Sequence, residues 1–254
     1  AFHSVLSVGQ LNDHKRASVI VKDVARAAFE RAADALRSEN PTTEGALSEW
    51  IVQELQSHGL VDQVSCIVAI GPRASDSHYV PIGDGETINR GDLLLIDLWG
   101  AFMGSVAADQ TWMGVMDSKV DARTQEIWEA VRDARDAALD FLRRRALDEE
   151  EVMGLEVDDV ARGVIQDRGF GEFFVHRTGH SIDIDLHGSG PNLDNLESRD
   201  ERKLIPGLAF SVEPGIYIEN EIGVRSEVNV YWGAEGPEIT PEGYQTEIFT
   251  LLDD

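Results

Sequence analysis

The sequence predicts an α+β protein whose sheet is mostly antiparallel. Two observations lead to this class. Pairs of segments with helical spacing of apolar residues come first, and strand-like segments follow them in runs instead of alternating with helices. A parallel sheet needs a crossover between successive strands, so runs of strands joined by short turns favour antiparallel pairing. The same order, two helices and then strands, occurs twice along the 254 residues.

The first half of this pattern contains two helical and three strand-like segments. Val21, Val24 and Ala28 recur at helical spacing among charged residues, and Pro41 ends the first helical region because its ring cannot continue a helix. Turns containing glycine separate the strand-like stretches. The predicted elements are helices over 11–37 and 44–58, then strands over 64–70, 93–101 and 106–115.

The second half repeats that order. Ile127, Val131 and Ala134 lie on one face of a long amphipathic helix over 120–146, a shorter helix covers 157–167, and strands follow between 207 and 252. No low-complexity linker separates the halves. We therefore interpret residues 1–254 as a single domain whose internal halves cover about 11–115 and 119–253, with a division into two domains as the alternative.

The charge balance limits the partners that this chain can have. There are 22 basic and 47 acidic residues, which gives a formal net charge of -25. Such a field repels nucleic acid and anionic membrane surfaces, so neither is expected as a partner. The acidic surface agrees with solubility in a crowded or salty cytosol, and a preference for cationic substrates is the alternative interpretation.

Three further features concern the compartment. Cys66, the only cysteine, lies in an apolar stretch, where it is predicted to be a small buried residue in a reducing, cytoplasmic compartment. No apolar stretch reaches the length of a membrane helix. The first residues, AFHSVLSVGQLNDHKR, lack the regions of a signal peptide and run almost at once into a helix, so we expect an upstream domain outside this chain.

Four acidic residues and one histidine are candidate metal ligands, each in or beside a strand-like segment. Any one of these acids could instead be an exposed or salt-bridged residue. Asp97, however, follows four apolar residues, where a charge is costly to bury unless a cation neutralises it. A carboxylate-rich set favours manganese, cobalt, iron(II) or zinc over soft metals. The candidates are Asp97 in LLLIDLWG, Asp109 in VAADQTW, His180 in HRTGHS, Glu213 in FSVEPGIY and Glu227 in GVRSEVNV.

The order Asp, Asp, His, Glu, Glu, with 12 residues from Asp97 to Asp109 and 14 from Glu213 to Glu227, is more informative than any single residue. At this point the chain resembles the pita-bread metallopeptidases, which include methionine aminopeptidases, Xaa-Pro aminopeptidases and prolidases. The resemblance extends from about Leu11 to Leu252. It implies the pita-bread fold, in which pairs of helices cover a curved, mostly antiparallel sheet with pseudo-two-fold symmetry.

The resemblance also implies a dinuclear centre that hydrolyses short peptides. By analogy, Asp97 would chelate one divalent ion, Asp109 and Glu227 would bridge two, and His180 with Glu213 would complete the second, with a shared water or hydroxide between the ions. Glu213 would carry a proton from that water to the leaving amine. A small peptide is the implied substrate, and a homodimer is the expected assembly.

Features around these ligands resemble the branch that cleaves next to proline. They are the EPGIY run and Arg225, two residues before the last glutamate. His78, His176 and His187 match family positions around the substrate. His78 and His187 would hydrogen-bond the scissile carbonyl or flanking peptide, His176 would line the pocket, and Arg225 would orient carboxylates or substrate.

Some positions depart from the family pattern. The aspartate separation is one residue longer, with Trp99 inside it, which predicts a bulge or a longer turn. DQTW stands in place of Asp-x-Thr-Arg, and HGSGP in place of His-Glu-x-Pro. Asp183 and Asp185 replace small or apolar residues, and we expect them to reshape the pocket or to favour a cationic substrate.

Two other functions stay open at this point. One fold can host several reactions, so a metal-dependent lyase or non-peptide hydrolase is the first alternative. A non-catalytic peptide-binding module is the second, although such a module would usually have lost some ligands and here all five are present.

Overall fold

A computed structural model describes residues 4–253, within which there are four α-helices, ten strands and two short 3₁₀ helices. The α-helices are α1 (Val8–Arg37), α2 (Glu44–Ser57), α3 (Ala122–Leu147) and α4 (Gly154–Asp167), and the 3₁₀ helices are Gly71–Ser75 and Gly171–Phe173. The strands are β1 (Asp62–Ile70), β2 (Leu93–Ala101), β3 (Ala108–Val115), β4 (Ser181–Ile182), β5 (Leu208–Val212), β6 (Gly215–Ile218), β7 (Ile222–Arg225), β8 (Val228–Gly233), β9 (Gly236–Thr240) and β10 (Phe249–Thr250).

Polar caps account for the helix starts that differ from the predicted ones. Helix α1 begins three residues earlier than predicted because Ser7 and Gln10 form a reciprocal capping box. Helix α3 begins at Ala122 because the carboxylate of Asp121 accepts hydrogen bonds from two backbone amides of the first turn. The predicted start at 120 was therefore two residues too early.

The strands form two four-stranded sheets, in the orders β1-β2-β3-β10 and β4-β5-β8-β9, and a separate β6-β7 hairpin. Every pairing is antiparallel except that of β10 with β3. The predicted α+β class with mostly antiparallel sheet is confirmed. The backbone ladders form two sheets, and β3 of the first sheet lies beside β7 and β8, with the backbone N–H of Glu227 3.5 Å from the carbonyl oxygen of Thr111.

Side chains cover the edge of β3 where no strand follows in register. The amide of Asn229 accepts from the backbone N–H of Asp109 at 2.9 Å and donates to its carbonyl at 2.8 Å. Gln245 does the same for Met113, at 2.8 and 2.6 Å. Two amide side chains therefore satisfy backbone groups that a neighbouring strand would otherwise pair with, and Asn229 connects the two sheets beside Asp109.

Alternation along β2 and β3 gives the first sheet two different faces. Leu94, Ile96 and Leu98 pack into the apolar core under α1 and α2, whereas Leu93 and Leu95 pack into the core under α3 and α4. Odd-numbered residues of β2 therefore face the second half of the chain. Asp97 belongs to this odd-numbered set, so its carboxylate points away from the α1–α2 core.

Cys66 is half-buried, not fully buried as predicted, and its Sγ lies 3.2 Å from Oγ of Ser48. Burial raises the pKa of its thiol to about 11. Among residues 4–253, no helix is both long enough and apolar enough to cross a membrane.

Candidate metal centre

One cavity of about 450 Å³ contains all of the site residues predicted from the sequence. It lies where the β2–β3 hairpin meets β5 to β8 and the segment around residue 180. The predicted residues that line it are Asp97, Asp109, His180, Glu213, Glu227, His78, His176, His187 and Arg225.

The β2–β3 hairpin supplies the two aspartates. Asp97 pairs with Thr111, and Trp99 pairs with Asp109, in a register that runs without interruption from Leu93 to Gly100. Because directly paired residues share a face and the faces alternate along a strand, Asp97 and Asp109 both point to the cavity. Of the two predicted alternatives, a bulge or a longer turn, the regular register of the hairpin excludes a bulge between β2 and β3, and residues 102–107 form the turn.

His180 lies immediately before β4 with its ring fixed on both sides. Its Nδ1 donates to the carbonyl oxygen of Ser181 at 3.1 Å, since a carbonyl can only accept. Its Nε2 lies 3.4 Å from Oδ2 of Asp109 and 3.4 Å from Oε1 of Glu213. This orientation presents Nε2 to the carboxylates, as expected for an imidazole that binds a cation.

The carboxylates that surround His180 have unpaired oxygen atoms. Oδ1 of Asp97, Oδ1 of Asp109 and Oε1 of Glu227 are buried and have no hydrogen-bond partner among the described residues. Asp109, His180 and Glu227 each offer a ligand atom within 4.8 Å of the other two. An unpaired buried carboxylate oxygen is costly, and a divalent cation is a partner that would offset this cost. The donor set therefore fits a divalent metal.

Burial and mutual repulsion dominate the acid–base behaviour of this cluster without a cation. Burial raises the pKa of Asp97 to about 8 even though Arg225 opposes it, and burial with the charge of Asp109 raises that of Glu227. Burial disfavours protonated His180, yet Asp109 and Glu213 outweigh it and raise its pKa to about 9. Burial likewise opposes ionisation of Glu213, but His180 and other cationic neighbours lower its pKa overall.

Arg225 connects several residues of the cluster by hydrogen bonds. This buried guanidinium donates to Asp97, to Oγ1 of Thr111 at 2.8 Å and to the hydroxyl of Tyr217 at 3.1 Å. Thr111 in turn donates to Oε2 of Glu227 at 2.8 Å. Arg225 therefore orients Asp97 directly and Glu227 through Thr111, and these contacts leave Oδ1 of Asp97 and Oε1 of Glu227 unpaired.

The three other histidines predicted to belong to the site differ in their contacts and exposure. His176 is largely buried, and its Nε2 lies 2.8 Å from the hydroxyl of Tyr217. The ring of His187 contacts that of His180 edge to face, with centroids 4.5 Å apart, although its side chain is exposed. Burial and the nearby His180 lower the pKa of His187. His78 lies on an exposed loop, and its Nδ1 is 3.2 Å from Oγ of Ser77.

Asp183 and Asp185 do not line the cavity, contrary to the expectation that they would reshape it. The buried carboxylate of Asp183 accepts hydrogen bonds from the backbone amides of Asp185 and Ser189, at 3.0 and 2.9 Å. Asp183 therefore fixes the fold of the loop that carries His187. Asp185 is exposed.

Sequence reasoning assigned no role to three polar side chains that support the ligands. Thr111 and Tyr217 contact Arg225, and Ser211 donates to Oε1 of Glu213 at 2.9 Å. A signal was available for two of them, since Thr111 lies two residues after Asp109 on β3 and Ser211 lies two residues before Glu213. Tyr217 lies on β6, four residues after Glu213, and gave no such signal. Asn229 lies two residues after Glu227, but its partner, the backbone of Asp109, is distant in sequence and could not be predicted from that spacing.

The fold and the site together resemble those of the metallopeptidase class, with carboxylates and one histidine on adjoining antiparallel sheets. The model of metallopeptidase family M24 matches residues 15–233, and the chain belongs to that family. The pita-bread fold is shared with its solved members.

Similar proteins of known name point the same way. The chain is 34% identical over 202 residues to an Xaa-Pro dipeptidase of Lactobacillus delbrueckii subsp. lactis, covering 79% of this chain and 50% of that protein. It resembles the crystal structure of an X-Pro aminopeptidase from Thermotoga maritima, with a TM-score of 0.83 and 26% identity over 98% of this chain and 65% of that one. It also resembles the crystal structure of a prolidase from Thermococcus sibiricus, with a TM-score of 0.84 and 26% identity over 98% of this chain and 63% of that one. The chain spans about half the length of the curated relatives it matches.

Proposed function

We propose that this chain is the catalytic part of a dinuclear metallopeptidase that cleaves the bond before proline, as an Xaa-Pro aminopeptidase or dipeptidase. The observation that supports it is the convergence of five predicted ligands on one cavity, three of them with unpaired buried oxygens. The names of the similar proteins support a proline-containing substrate.

Two divalent ions would be held by the five residues Asp97, Asp109, His180, Glu213 and Glu227. Oxygen donors with a single imidazole suit manganese, and also cobalt, iron(II) or zinc. Such ions supply an activated water and polarisation of the scissile carbonyl near neutral pH.

Glu213 is the proposed proton carrier. Its carboxylate is only partly buried, lines the cavity and is held at Oε1 by the hydroxyl of Ser211. The overall lowering of its pKa keeps it ionised at neutral pH, in the form that accepts a proton. It would take the proton of the attacking water and pass it to the leaving nitrogen, which makes the amine a stable product.

His187 and His78 are the proposed donors to the substrate carbonyl and flanking peptide. Both side chains are exposed to the cavity and not committed to its internal network. A positioned donor of this kind contributes about 3 kcal/mol to transition-state stabilisation. His176 and Arg225 have a positioning role instead, since both contact the hydroxyl of Tyr217 and Arg225 also donates to Asp97.

The proposal extends to a cytoplasmic location and a homodimeric assembly, with neither nucleic acid nor membrane as partner. The acidic net charge of -25 and the unpaired Cys66 support the location and the excluded partners. The homodimeric assembly is tested by light scattering.

Activity assays on metal-reconstituted protein test the function. The metal-free chain is loaded with manganese, cobalt, iron(II) or zinc, and specificity constants are compared for Xaa-Pro and Met-Ala dipeptides and tripeptides. We expect Xaa-Pro peptides to be cleaved faster than Met-Ala, because proline lacks an amide hydrogen and is recognised by ring shape and neighbouring carbonyls. A methionyl preference, or no cleavage of either with metal bound, contradicts the proposal.

A further inference from the structure

Trp99 occupies a cavity position that the metal centre does not use. It pairs directly with Asp109 on β3 and with Ser65 on β1, and it lies two residues after Asp97 on the same face of β2. Its indole therefore lies beside two candidate metal ligands. The ring is only partly buried.

The ring of Trp99 has no partner among residues 4–253. It makes no hydrogen bond, aromatic pair or cation–π contact there, whereas Trp112 and Trp128 each donate a hydrogen bond from the indole nitrogen. Trp112, Trp128 and Trp232 are 2%, 0% and 7% exposed, so they belong to the core. A large, partly exposed aromatic ring without internal partners is suited to contact a ligand.

Two other apolar side chains complete a surface around Trp99. Ile67 on β1 pairs with Asp97, and Leu186 belongs to the loop after β4; both line the same cavity. The loop is held against β1, because Oε1 of Gln63 accepts from the backbone N–H of Leu186 at 2.6 Å. We call Ile67, Trp99 and Leu186 the apolar wall.

The apolar wall narrows the choice of substrate. A dipeptide cleaved before proline has only one variable side chain, that of the residue preceding proline. The polar lining of the cavity can hold the peptide groups, but its histidines and carboxylates offer an aliphatic side chain no favourable apolar contact. Packing an apolar side chain against Trp99 would remove both from water.

We propose that Trp99 is a specificity-determining residue, and that the apolar wall selects substrates whose residue before the scissile bond has a large apolar side chain. This inference rests on the proposed cleavage before proline. It assigns no part in the chemical step to Trp99.

Selectivity between two dipeptides tests it. With the manganese-loaded protein, we expect the specificity constant for Leu-Pro to exceed that for Gly-Pro by about tenfold or more, as contacts of a few methylene groups allow. Trp99→Ser should reduce this ratio about tenfold, and Trp99→Phe should retain most of it. Trp50→Phe is the matched control, because Trp50 is also partly exposed but lies on α2, outside the cavity. An equal loss on both peptides would mean that Trp99 is merely structural and would overturn the inference.

Tryptophan fluorescence gives a second readout that needs no turnover. Free leucine, the product from that side of the bond, should change the emission of the metal-loaded wild type and of Trp50→Phe, but not that of Trp99→Phe. Glycine is the size control and should have little effect. Equal responses to leucine in the two Phe variants overturn the inference even if no peptide is cleaved. Cleavage of Leu-Pro and Gly-Pro at similar rates overturns it while the proposed function stands.

Discussion

The two helix pairs each contribute one buried carboxylate that fixes a loop, and the two loops differ in what they carry. On α2, the carboxylate of Glu44 accepts from the backbone N–H of Ile70 at 3.0 Å, the hydroxyl of Tyr79 at 2.8 Å and the backbone N–H of Glu86 at 2.9 Å. Glu44 is fully buried. It holds the loop between β1 and β2, which carries His78.

On α4, Asp158 is equally buried and holds the loop that precedes the metal ligand His180. Its carboxylate accepts from the backbone and side chain of Thr178, at 2.9 and 2.6 Å, and forms an ion pair with Arg162 at 2.9 Å. Arg162 donates in turn to the carbonyl of His176 at 2.9 Å.

The difference shows how each part of the chain positions its ligands. Asp97 and Asp109 lie within a regular hairpin, where backbone pairing fixes the strand positions and Arg225 and Asn229 add side-chain contacts, so the buried Glu44 is left to hold an outer loop. His180 follows an irregular segment, so its position depends on the side chains of Asp158 and Arg162. Ligands on strands are held by the backbone, and a ligand after a loop needs buried polar contacts.

The largest expected effect comes from comparing a substitution of Glu213, from the second half of the chain, with one of Asp97, from the first half. Glu213→Gln should lower kcat about 10²–10⁴-fold at saturating metal, with a small change in KM, because it removes proton transfer. Asp97→Asn should mainly weaken metal binding, so excess metal should restore part of its activity. Steady-state kinetics against metal concentration distinguish the two, with the exposed Glu219→Gln as control. Unchanged turnover in Glu213→Gln would remove Glu213 from the mechanism.

The next prediction compares the two buried carboxylates. Asp158→Asn and Glu44→Gln should both lower the free energy of unfolding. The loss should be about 3–5 kcal/mol for Asp158→Asn, which leaves Arg162 without its anion. Only Asp158→Asn should also weaken metal binding, by about 10–100-fold, since Asp158 supports the His180 segment.

Chemical denaturation and metal titration measure the two effects. The control is Asp159→Asn, because Asp159 is the exposed neighbour of Asp158 on the same helix. Equal metal affinity in Asp158→Asn and Glu44→Gln would contradict the distinction between the two loops.

The smallest expected effect is the pH dependence of the metal-free protein. The pKa of Asp97 is raised to about 8 and that of His180 to about 9. Because each pKa is higher in the folded than in the unfolded protein, each group stabilises the fold fully below its unfolded pKa, near 4 for Asp97 and 6.5 for His180. This contribution is lost as the pH rises through the folded-state pKa, about 8 for Asp97 and about 9 for His180. Between pH 5 and 9 the Tm of the metal-free protein should fall by at least about 2–4 °C, which corresponds to about 1 kcal/mol.

Scanning calorimetry with chelator and with saturating manganese checks this dependence. Bound cations replace protons as partners of the carboxylates, so the metal-loaded protein should show a much smaller slope. A metal-free Tm that rises over the same range would contradict it.

The sequence by itself determined the α+β class, the order of the elements and the identity of the residues that converge on the cavity. Periodicity shows which face of a strand is buried, and it places Asp97 on the face of β2 opposite to Leu94 and Ile96. The register of the hairpin, which the turn sets, then places Asp109 on the same face. The family resemblance supplied the joint pattern that no single acidic residue could provide.

Only the tertiary structure decided how the site is supported. Arg225, Thr111 and Tyr217 meet across strands that are distant in sequence, and Asn229 and Gln245 replace a strand at the edge of β3. Asp183 lies close in sequence to His180, but its carboxylate turns to backbone amides of its own loop. Local patterns specify which face a residue occupies, whereas the partner of a buried polar group depends on which distant segments pack against it.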